Sequence, residues 1–253
     1  MNHKIAEAGW VFPNDTYDCL SDYEKSFLEL EFTGIKTIEY YKQRLRMLGF
    51  CGKGNLLDAA CGMGQWSAAL ADLNEQVQGI DIDVGRLLIG KELCREMGKQ
   101  NAKFSYASMD ALPFRESSFD GIFCYGAFMF SDMPKTIGEF NRVLRPGGQV
   151  YININLIGWY AHLLFDRGIK QRNIRMIWTV LKIIRRTLMF KKRNVIVGHN
   201  WLRNTLQKKG FSIIAQEPEG HICIPEQIQK EEPTYKKRYY GMPGVTEIIA
   251  FKI

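Results

Sequence analysis

Short apolar runs alternate with longer amphipathic stretches from residue 55 to residue 155. The short runs "NLLDAA", "VQGIDID", "AKFSYAS", "SFDGIFCYG" and "QVYININ" predict strands. The stretches between them predict helices, the last of which has Asp132 as its cap and Pro134 in its first turn. This alternation favours right-handed crossovers and a mostly parallel sheet with helices on both faces.

The pattern changes on either side of this region. Residues 1–50 are predicted to be mainly helical from about Ser21 onward. Residues 156–198 interrupt the alternation before it resumes with "NWLRNTLQKKG", "FSIIAQE" and "VTEIIAFKI". We therefore predict an N-terminal helical cap at 1–50, an α/β core at 51–155 and 199–253, and an inserted basic amphipathic lid at 156–198. The Pro- and Gly-punctuated stretch 218–244 is predicted to be a functional or partly mobile loop.

Composition sets limits on the class of protein. With 253 residues, 46% of them hydrophobic, the chain can bury the core of one domain with an appended lid. The six cysteines form no C-x-x-C pair, so neither a metal centre nor a disulfide framework is expected. The start "MNHKIAEAGW" has no secretory h-region, and no stretch reaches the apolar length of a membrane span. A reducing cytoplasm fits these features.

Charge is unevenly distributed along the chain. The net charge is +7, and the segment 156–198 holds ten of the 34 basic residues but only one acid, Asp166. The rest of the chain is close to neutral. The sequence therefore indicates a near-neutral domain that carries one basic segment.

The stretch "LLDAACGMG" places small residues and glycines directly after the first predicted strand. Gly62 and Gly64 would let the backbone turn tightly and approach a ligand closely. A dinucleotide fingerprint needs a third glycine, and Ser67 stands in its place. Taken alone, this loop also fits a plain strand-to-helix turn.

Two acids follow the next strands. The second strand ends at Asp81 and the third leads to Asp110. An acid about 20 residues after the glycine loop suits hydrogen bonding to a ribose diol. A single aspartate here is usually a helix cap, but the carboxyl ends of parallel strands meet at one sheet edge, so we expect these acids and the loop to lie together.

Together, "LLDAACGMG", "GIDID", "SMDALPF", "SFDGIFCYGAFMF" and "RVLRPGG" resemble the successive motifs of class I S-adenosylmethionine-dependent methyltransferases. The resemblance covers roughly residues 55–155, and the terminal helix and strands more loosely. It implies a Rossmann-like α/β fold with a seven-stranded, mostly parallel sheet, whose last, antiparallel strand "VTEIIAFKI" would supply. It also implies S-adenosylmethionine as the cofactor.

The resemblance implies roles for the glycine loop. Asp58 would lie near the methionine end of the cofactor or hold the loop. The backbone floor beneath the cofactor would be formed by Ala60, Cys61, Gly62 and Gly64. Ala60 departs from the pattern, because the family often has glycine there; a methyl group is a mild change that should leave binding intact.

The resemblance also implies roles for the groups after the later strands. Asp81 would bind the ribose hydroxyls, with Ile82 packed on the adenine. Asp110 would accept a hydrogen bond from the adenine amine, and Met109 would cover the ring. Cys124 and Tyr125 would lie near the methionine portion.

Methyl transfer from a sulfonium is an in-line displacement, so the protein mainly positions the acceptor and no metal is required. A general base helps only if the acceptor is a hydroxyl. Tyr125, His162, His199 and His221 are candidates by position. Each histidine is more often a surface or cap residue, and His199 stands where a helix N-cap would fall. Tyr125 is the better placed, and we expect it to shape the pocket.

Placed on a helix, residues 174–193 separate into two faces. Ile177, Val180, Leu181, Ile184 and Leu188 fall on one face, and Arg175, Lys182, Arg186 and Arg193 on the other. A lid with its apolar side on the core is the simplest interpretation. The pattern also fits contact with an anionic membrane or with phosphates. The apolar patch at 159–165 favours lipid, and nucleic acid is a weaker candidate.

The leading hypothesis is a methyltransferase that acts on a small or medium-sized, anionic, sugar-containing or lipid-linked acceptor near the inner membrane face. The alternatives are a cofactor-binding module without catalysis and a nucleic-acid methyltransferase that uses the basic lid. A nicotinamide reductase is opposed by Ser67. The sequence specifies neither the acceptor nor the oligomeric state.

Overall fold

The computed structural model describes residues 2–11, 20, 22–34, 36–225 and 235–253. Parts of the predicted N-terminal cap, among them residues 12–19, and the middle of the predicted loop, residues 226–234, lie outside the described residues.

Seven strands form one sheet in the order β3-β2-β1-β4-β5-β9-β6, and two short strands pair separately. β1 pairs in parallel with β2 and β4, and β2 with β3, whereas β9 runs antiparallel to both β5 and β6. This confirms the expected mostly parallel seven-stranded sheet with an antiparallel last strand. The strands are β1 (Asn55–Ala59), β2 (Gln76–Asp81), β3 (Ala102–Tyr106), β4 (Phe119–Cys124), β5 (Leu144–Asn155), β6 (Phe211–Pro218), β7 (Arg238–Tyr239), β8 (Met242–Pro243) and β9 (Val245–Lys252).

Local signals in the sequence account for where several helices begin. The Asp132 side chain accepts a hydrogen bond from the Lys135 amide, and Pro134 lies in the first turn, as predicted. The described helices are α1 (Asn2–Glu7), α2 (Asp22–Glu31), α3 (Ile38–Met47), α4 (Gln65–Leu73), α5 (Val84–Glu96), α6 (Met133–Val143), α7 (Ile157–His162), α8 (Ile174–Leu188) and α9 (Trp201–Lys208), with a 3₁₀ turn at Phe128–Phe130 and a π-helix at Leu163–Ile169.

Two predicted boundaries need correction. The fifth strand begins at Leu144, before the "RPGG" stretch that was expected to separate helix from strand, although its pairing with β9 starts only at Gln149. The cap of α9 is Asn200 and not His199.

The described chain separates into two compact units. The first comprises the described part of 2–108 with 119–123 and 223–225. Its core includes Trp66 of α4, whose ring centroid lies 4.6 Å from that of Tyr41 and 4.8 Å from that of Phe123. These contacts join α3, α4 and β4, so the loop between β1 and α4 is held at its helical end.

The second unit comprises 109–118, 124–222 and 235–253. The β5–β9 ladder from Gln149↔Phe251 to Asn155↔Val245 forms its centre, with Ile152 and Ile248 buried opposite each other. Gly158 at the start of α7 packs against the short strand β8, where an added Cβ would lie 2.4 Å from the Met242 carbonyl oxygen. The segment after β5 is therefore packed closely, at its beginning, against the two-stranded β7–β8 pair.

The helix α8 differs from its prediction in two ways. Val180 is buried as expected, but Leu181 and Leu188, which were placed on the covered face, are exposed. The helix also ends at Leu188, so Arg193 does not belong to its basic face. The periodicity identified a helix correctly but could not show which side of it the rest of the chain covers.

Candidate functional site

Three residues of the loop between β1 and α4 adopt left-handed backbone conformations. Ala60, Gly62 and Gly64 have φ values of 62°, 55° and 83°. A Cβ added at Gly62 would meet nothing within 4 Å, whereas one added at Gly64 would lie 2.8 Å from the Cα of Gly90 in α5. Gly62 thus presents bare backbone to open space, and Gly64 allows the loop to touch the next helix. Ala60 adopts a conformation that favours glycine, the residue that the family often has there.

Asp58 is a buried acid at the base of this loop, with 2% of its surface exposed. Its Oδ2 accepts a hydrogen bond of 2.6 Å from the Ser67 hydroxyl in the first turn of α4. Burial raises the pKa of Asp58 to about 7; the Ser67 hydrogen bond opposes this shift and the charge of Asp81 adds to it. This geometry supports the second of the two expected roles, in which Asp58 holds the loop.

Asp81 connects the end of β2 to the glycine loop. One carboxylate oxygen accepts from the Gly62 amide at 3.0 Å, and the other accepts from the Asp83 amide at 2.9 Å. Each oxygen keeps a further lone pair for a ligand hydroxyl. Ile82, the next residue, is 66% exposed and offers a flat apolar surface beside the carboxylate. The structure thus brings Gly62, Asp81 and Ile82 together.

Cys61 and Gln65 complete the loop in different ways. Burial, together with the acids Asp58 and Asp81, raises the pKa of the Cys61 thiol, so it is not a reactive thiolate. Gln65, the first residue of α4, is only 6% exposed, and its Oε1 has no hydrogen-bond partner among the described residues. A buried acceptor in this position suits a ligand donor such as an ammonium group.

The donor set around the loop fits an S-adenosylmethionine molecule. Bare backbone at Gly62 leaves room for close approach, and the Asp81 carboxylate suits a ribose diol. Ile82 suits an aromatic ring, and the amide oxygen of Gln65 suits an ammonium group. This fit rests on residues of the first unit alone.

Asp110 belongs to the second unit and is 4% exposed. Its Oδ1 accepts from the Thr136 hydroxyl at 2.7 Å and from the Asp132 amide at 3.0 Å. Its Oδ2 accepts from the guanidinium of Arg193. The predicted acceptor for an adenine amine is therefore engaged by a residue of the inserted segment.

The other predicted cofactor-site residues of this unit are Met109, Cys124 and Tyr125, and each of them contacts a neighbouring side chain. The Sγ of Cys124 lies 3.6 Å from the Sδ of Met109. The Tyr125 hydroxyl donates to Glu219 Oε1 at 3.2 Å, and its ring stacks on that of Tyr151 with centroids 6.5 Å apart. Tyr125 is thus held both by its ring and by its hydroxyl.

The three histidines have separate surroundings. His162 pairs with Asp166 at 2.8 Å, and this acid also accepts from Lys170 and Tyr240, which together hold the pKa of Asp166 below its usual range. The Nδ1 of His221 lies 3.0 Å from the Glu219 carbonyl oxygen. His162 and His221 are therefore committed to structural contacts.

His199 lines an apolar cavity of about 400 Å³ that is open to solvent and lies next to the carboxyl end of β5. The volume lies within the range of pockets that bind small molecules. Thr187 is the other side chain that brings a polar group to the wall. The remaining lining residues are Leu156, Ile157, Ile184, Leu188, Ile196, Val197, Gly198 and Pro243.

Sequence reasoning did not identify Gln65 or Glu219, and it placed Arg193 on the basic face of a helix and not beside Asp110. Gln65 follows the glycine motif directly, so its position was available as a signal. Glu219 lies 94 residues from Tyr125 and Arg193 lies 83 residues from Asp110, and no local pattern marks either pairing.

Within the described part of the chain, no group of metal-ligating side chains occurs and no helix has the length and apolarity of a membrane span.

Known proteins support the family that the motifs suggested. Residues 56–148 match a family model described as a methyltransferase domain. A demethylmenaquinone methyltransferase of Bacillus cytotoxicus is 28% identical over 142 residues, which make up 54% of this chain and 59% of the relative. The chain thus spans little more than half the length of the curated relatives that it matches.

Two solved structures share the fold. A geranyl diphosphate methyltransferase in complex with S-adenosylmethionine superposes with a TM-score of 0.62 at 15% identity and covers 96% of each chain. A TehB-like methyltransferase from Corynebacterium glutamicum superposes with a TM-score of 0.57 at 13% identity, covering 92% of this chain and 97% of that one. At these identities the likeness concerns the fold alone.

Proposed function

We propose that this chain, which carries a class I S-adenosylmethionine-dependent methyltransferase domain at residues 56–148, transfers a methyl group to a small or medium-sized apolar or lipid-linked molecule. The observation that carries the proposal is the glycine loop, whose open backbone at Gly62 is bonded to the Asp81 carboxylate inside the matched domain.

The family expected from the sequence motifs is confirmed by the domain match and by the seven-stranded sheet. S-adenosylmethionine is the cofactor of this family, and when bound it supplies a methyl group activated by a sulfonium sulfur. Because the curated relatives are matched over only part of their length, the activity of the whole chain belongs to our proposal.

The residues of the first unit do the binding in this proposal. Asp81 accepts from the ribose hydroxyls while its bond to the Gly62 amide keeps the loop in place. Ile82 packs on the adenine ring, and Gln65 Oε1 accepts from the ammonium of the methionine part. Asp58, bonded to Ser67, keeps the strand end and the helix start at a fixed separation.

The cavity next to β5 supports the choice of acceptor class. Its walls are almost entirely aliphatic, so a charged or sugar acceptor would lose hydration there without gaining partners. An apolar acceptor, or the apolar part of a lipid-linked one, gains by burial instead. The relatives named demethylmenaquinone methyltransferases agree with an apolar acceptor.

Tyr125 lies outside the lining of this cavity, and in this proposal it shapes the pocket at the end of β4. Its stacked ring and its hydrogen bond to Glu219 keep it in one orientation. A tyrosine fixed in this way positions an acceptor by contact and excludes water. His199 is the titratable side chain of the cavity lining and is the better candidate if the acceptor carries a hydroxyl.

An acceptor screen tests the proposal. The purified protein is incubated with S-adenosylmethionine and a panel of quinols, prenyl phenols, sugar phosphates and short RNAs, and S-adenosylhomocysteine release is measured. Release with an apolar acceptor is expected. Cofactor binding without release on any acceptor would indicate a non-catalytic binding module, and release only with RNA would indicate a nucleic-acid methyltransferase; either result would refute the proposal.

A further inference from the structure

The helix α8 exposes apolar side chains on its outer face. Residues 174, 178, 181, 185 and 188 share one side of an α-helix, and four of these five are Ile174, Trp178, Leu181 and Leu188. All four are exposed, Trp178 to 68%, whereas Val180 on another side of the helix is buried. Leu188 stands at the edge of this stripe and also lines the cavity next to β5. A helix that only covered a cavity would present polar residues to water on this side.

Cations surround this apolar stripe. Arg185 occupies the fifth position of the stripe, Lys182 and Arg186 lie beside it on the helix, and Lys191 follows the helix end. Together with Trp178, Leu181 and Met189 they line an open hollow of about 710 Å³. None of the described residues that line this hollow is acidic. The hollow therefore combines an apolar floor with uncompensated positive charge.

This combination favours one kind of partner over the others. A single exposed apolar residue is ordinary, but a contiguous exposed patch marks an interaction surface. Indole rings favour the boundary between hydrocarbon and headgroups, and the lysine and arginine stems extend to anionic headgroups while their own methylenes remain in apolar surroundings. Nucleic acid would use the charges but would leave Ile174 and Leu188 in water.

We propose that the outer face of α8 lies on a membrane surface that contains anionic phospholipids, with a headgroup phosphate in the hollow and Trp178 among the upper acyl chains. The charge complementarity between the acid-free hollow and a phosphate carries the choice of partner. This proposal rests on the proposed function only in one respect, which is that a membrane surface would hold a lipid-linked acceptor. Binding of the protein to lipid does not itself require methyl transfer.

Vesicle binding tests the proposal. Flotation is measured with vesicles of phosphatidylcholine alone and with vesicles that contain about a third phosphatidylglycerol. Binding is expected only with the anionic lipid. The triple variant Lys182→Gln, Arg185→Gln, Lys191→Gln is expected to weaken it by about fivefold per charge removed, on the order of 100-fold in all. The double variant Trp178→Ser, Leu181→Ser is expected to weaken it at least tenfold without changing the net charge.

Matched variants elsewhere serve as controls. Lys208→Gln and Lys209→Gln remove exposed charges at the end of α9, and Ile214→Ser removes an exposed apolar side chain on β6. These variants are expected to bind vesicles within about twofold of the wild type. Melting temperatures and the S-adenosylmethionine affinity of every variant show whether the fold and the proposed cofactor site are intact.

The position of Trp178 is tested by quenching with brominated phosphatidylcholine in the anionic vesicles. Quenching is expected in the wild type and largely absent in Trp178→Phe, which still floats with the vesicles. Loss of binding in the charge variant but not in the Trp178→Ser, Leu181→Ser variant would overturn the proposal and indicate a general polyanion surface. So would equal competition by RNA or by free phosphate, or no binding to anionic vesicles at all.

Discussion

The guanidinium of Arg193 donates a hydrogen bond to the carboxylate of Asp110, a residue 83 positions earlier in the chain. Asp110 is the acid that the motif resemblance assigns to the adenine amine, and its second oxygen is already used by Thr136 and the Asp132 amide. Nearby, Asn194 donates its amide to the Met129 carbonyl at 2.8 Å. The end of the inserted segment is thus fastened to the predicted adenine acceptor.

Replacing Arg193 by Gln is predicted to destabilise the protein. The variant removes the cation that donates to the buried Asp110 carboxylate, which costs about 1–3 kcal/mol of stability. Urea unfolding measures the loss. The neighbouring Lys192→Gln serves as the control, and equal free energies of unfolding for Arg193→Gln and the wild type would contradict a stabilising role for this contact.

Substitutions at the three left-handed positions of the glycine loop are predicted to change the melting temperature to different extents. The left-handed φ of Ala60 costs about 1–2 kcal/mol, so Ala60→Gly should raise the melting temperature by about 2–4 °C. Gly62→Ala should lower the melting temperature by a similar amount. Its added Cβ meets open space, so only the cost of the left-handed φ remains. Gly64→Ala should lower it most, because its Cβ would collide with Gly90. Differential scanning calorimetry gives the order, and equal effects of Gly62→Ala and Gly64→Ala would contradict it.

Because the pKa of Asp58 is raised in the fold, the free energy of unfolding is predicted to depend on pH. Its pKa is raised from 3.8 to about 7 in the fold, so the native state binds a proton that the unfolded chain releases between these values. The contribution of Asp58 to the free energy of unfolding is therefore greatest at low pH and is lost as the pH rises from near 4 through 7. The steepest slope is about 1.4 kcal/mol per pH unit.

Asp58→Asn should flatten this part of the stability curve. Urea unfolding at several pH values between 5 and 8 measures it, with the exposed Glu75→Gln as the control. A variant curve parallel to the wild type would show that Asp58 titrates at its ordinary pKa.

Tyr125 is predicted to act by shape and not by moving a proton. Tyr125→Phe keeps the ring that stacks on Tyr151, so kcat should stay within about threefold of the wild type across the pH range. Tyr125→Ala removes the ring and should lower kcat/KM by tenfold or more. If Tyr125→Phe lost more than about 100-fold in kcat, the hydroxyl would be a general base and our assignment would be wrong.

The sheet was predictable because its signals are local. Apolar runs of strand length, the Asp132 cap and Pro134 each act over a few residues, and the glycine loop with its following acid is a compact motif. The contacts Arg193–Asp110 and Tyr125–Glu219 join residues far apart in sequence, so no pattern within a window could reveal them. Helical periodicity located α8, but which face is exposed depends on what packs beside it, and Trp178 therefore came as a finding of the structure.

Calorimetric titration of S-adenosylmethionine into the wild type and into Asp81→Ala tests the central claim most directly. Asp81 links the Gly62 amide, the start of α5 through the Asp83 amide, and the proposed ribose site. The wild type should bind with a dissociation constant in the micromolar range, and Asp81→Ala should weaken binding at least 100-fold while NAD(H) binds to neither. Equal affinity of the two proteins for S-adenosylmethionine would contradict the account.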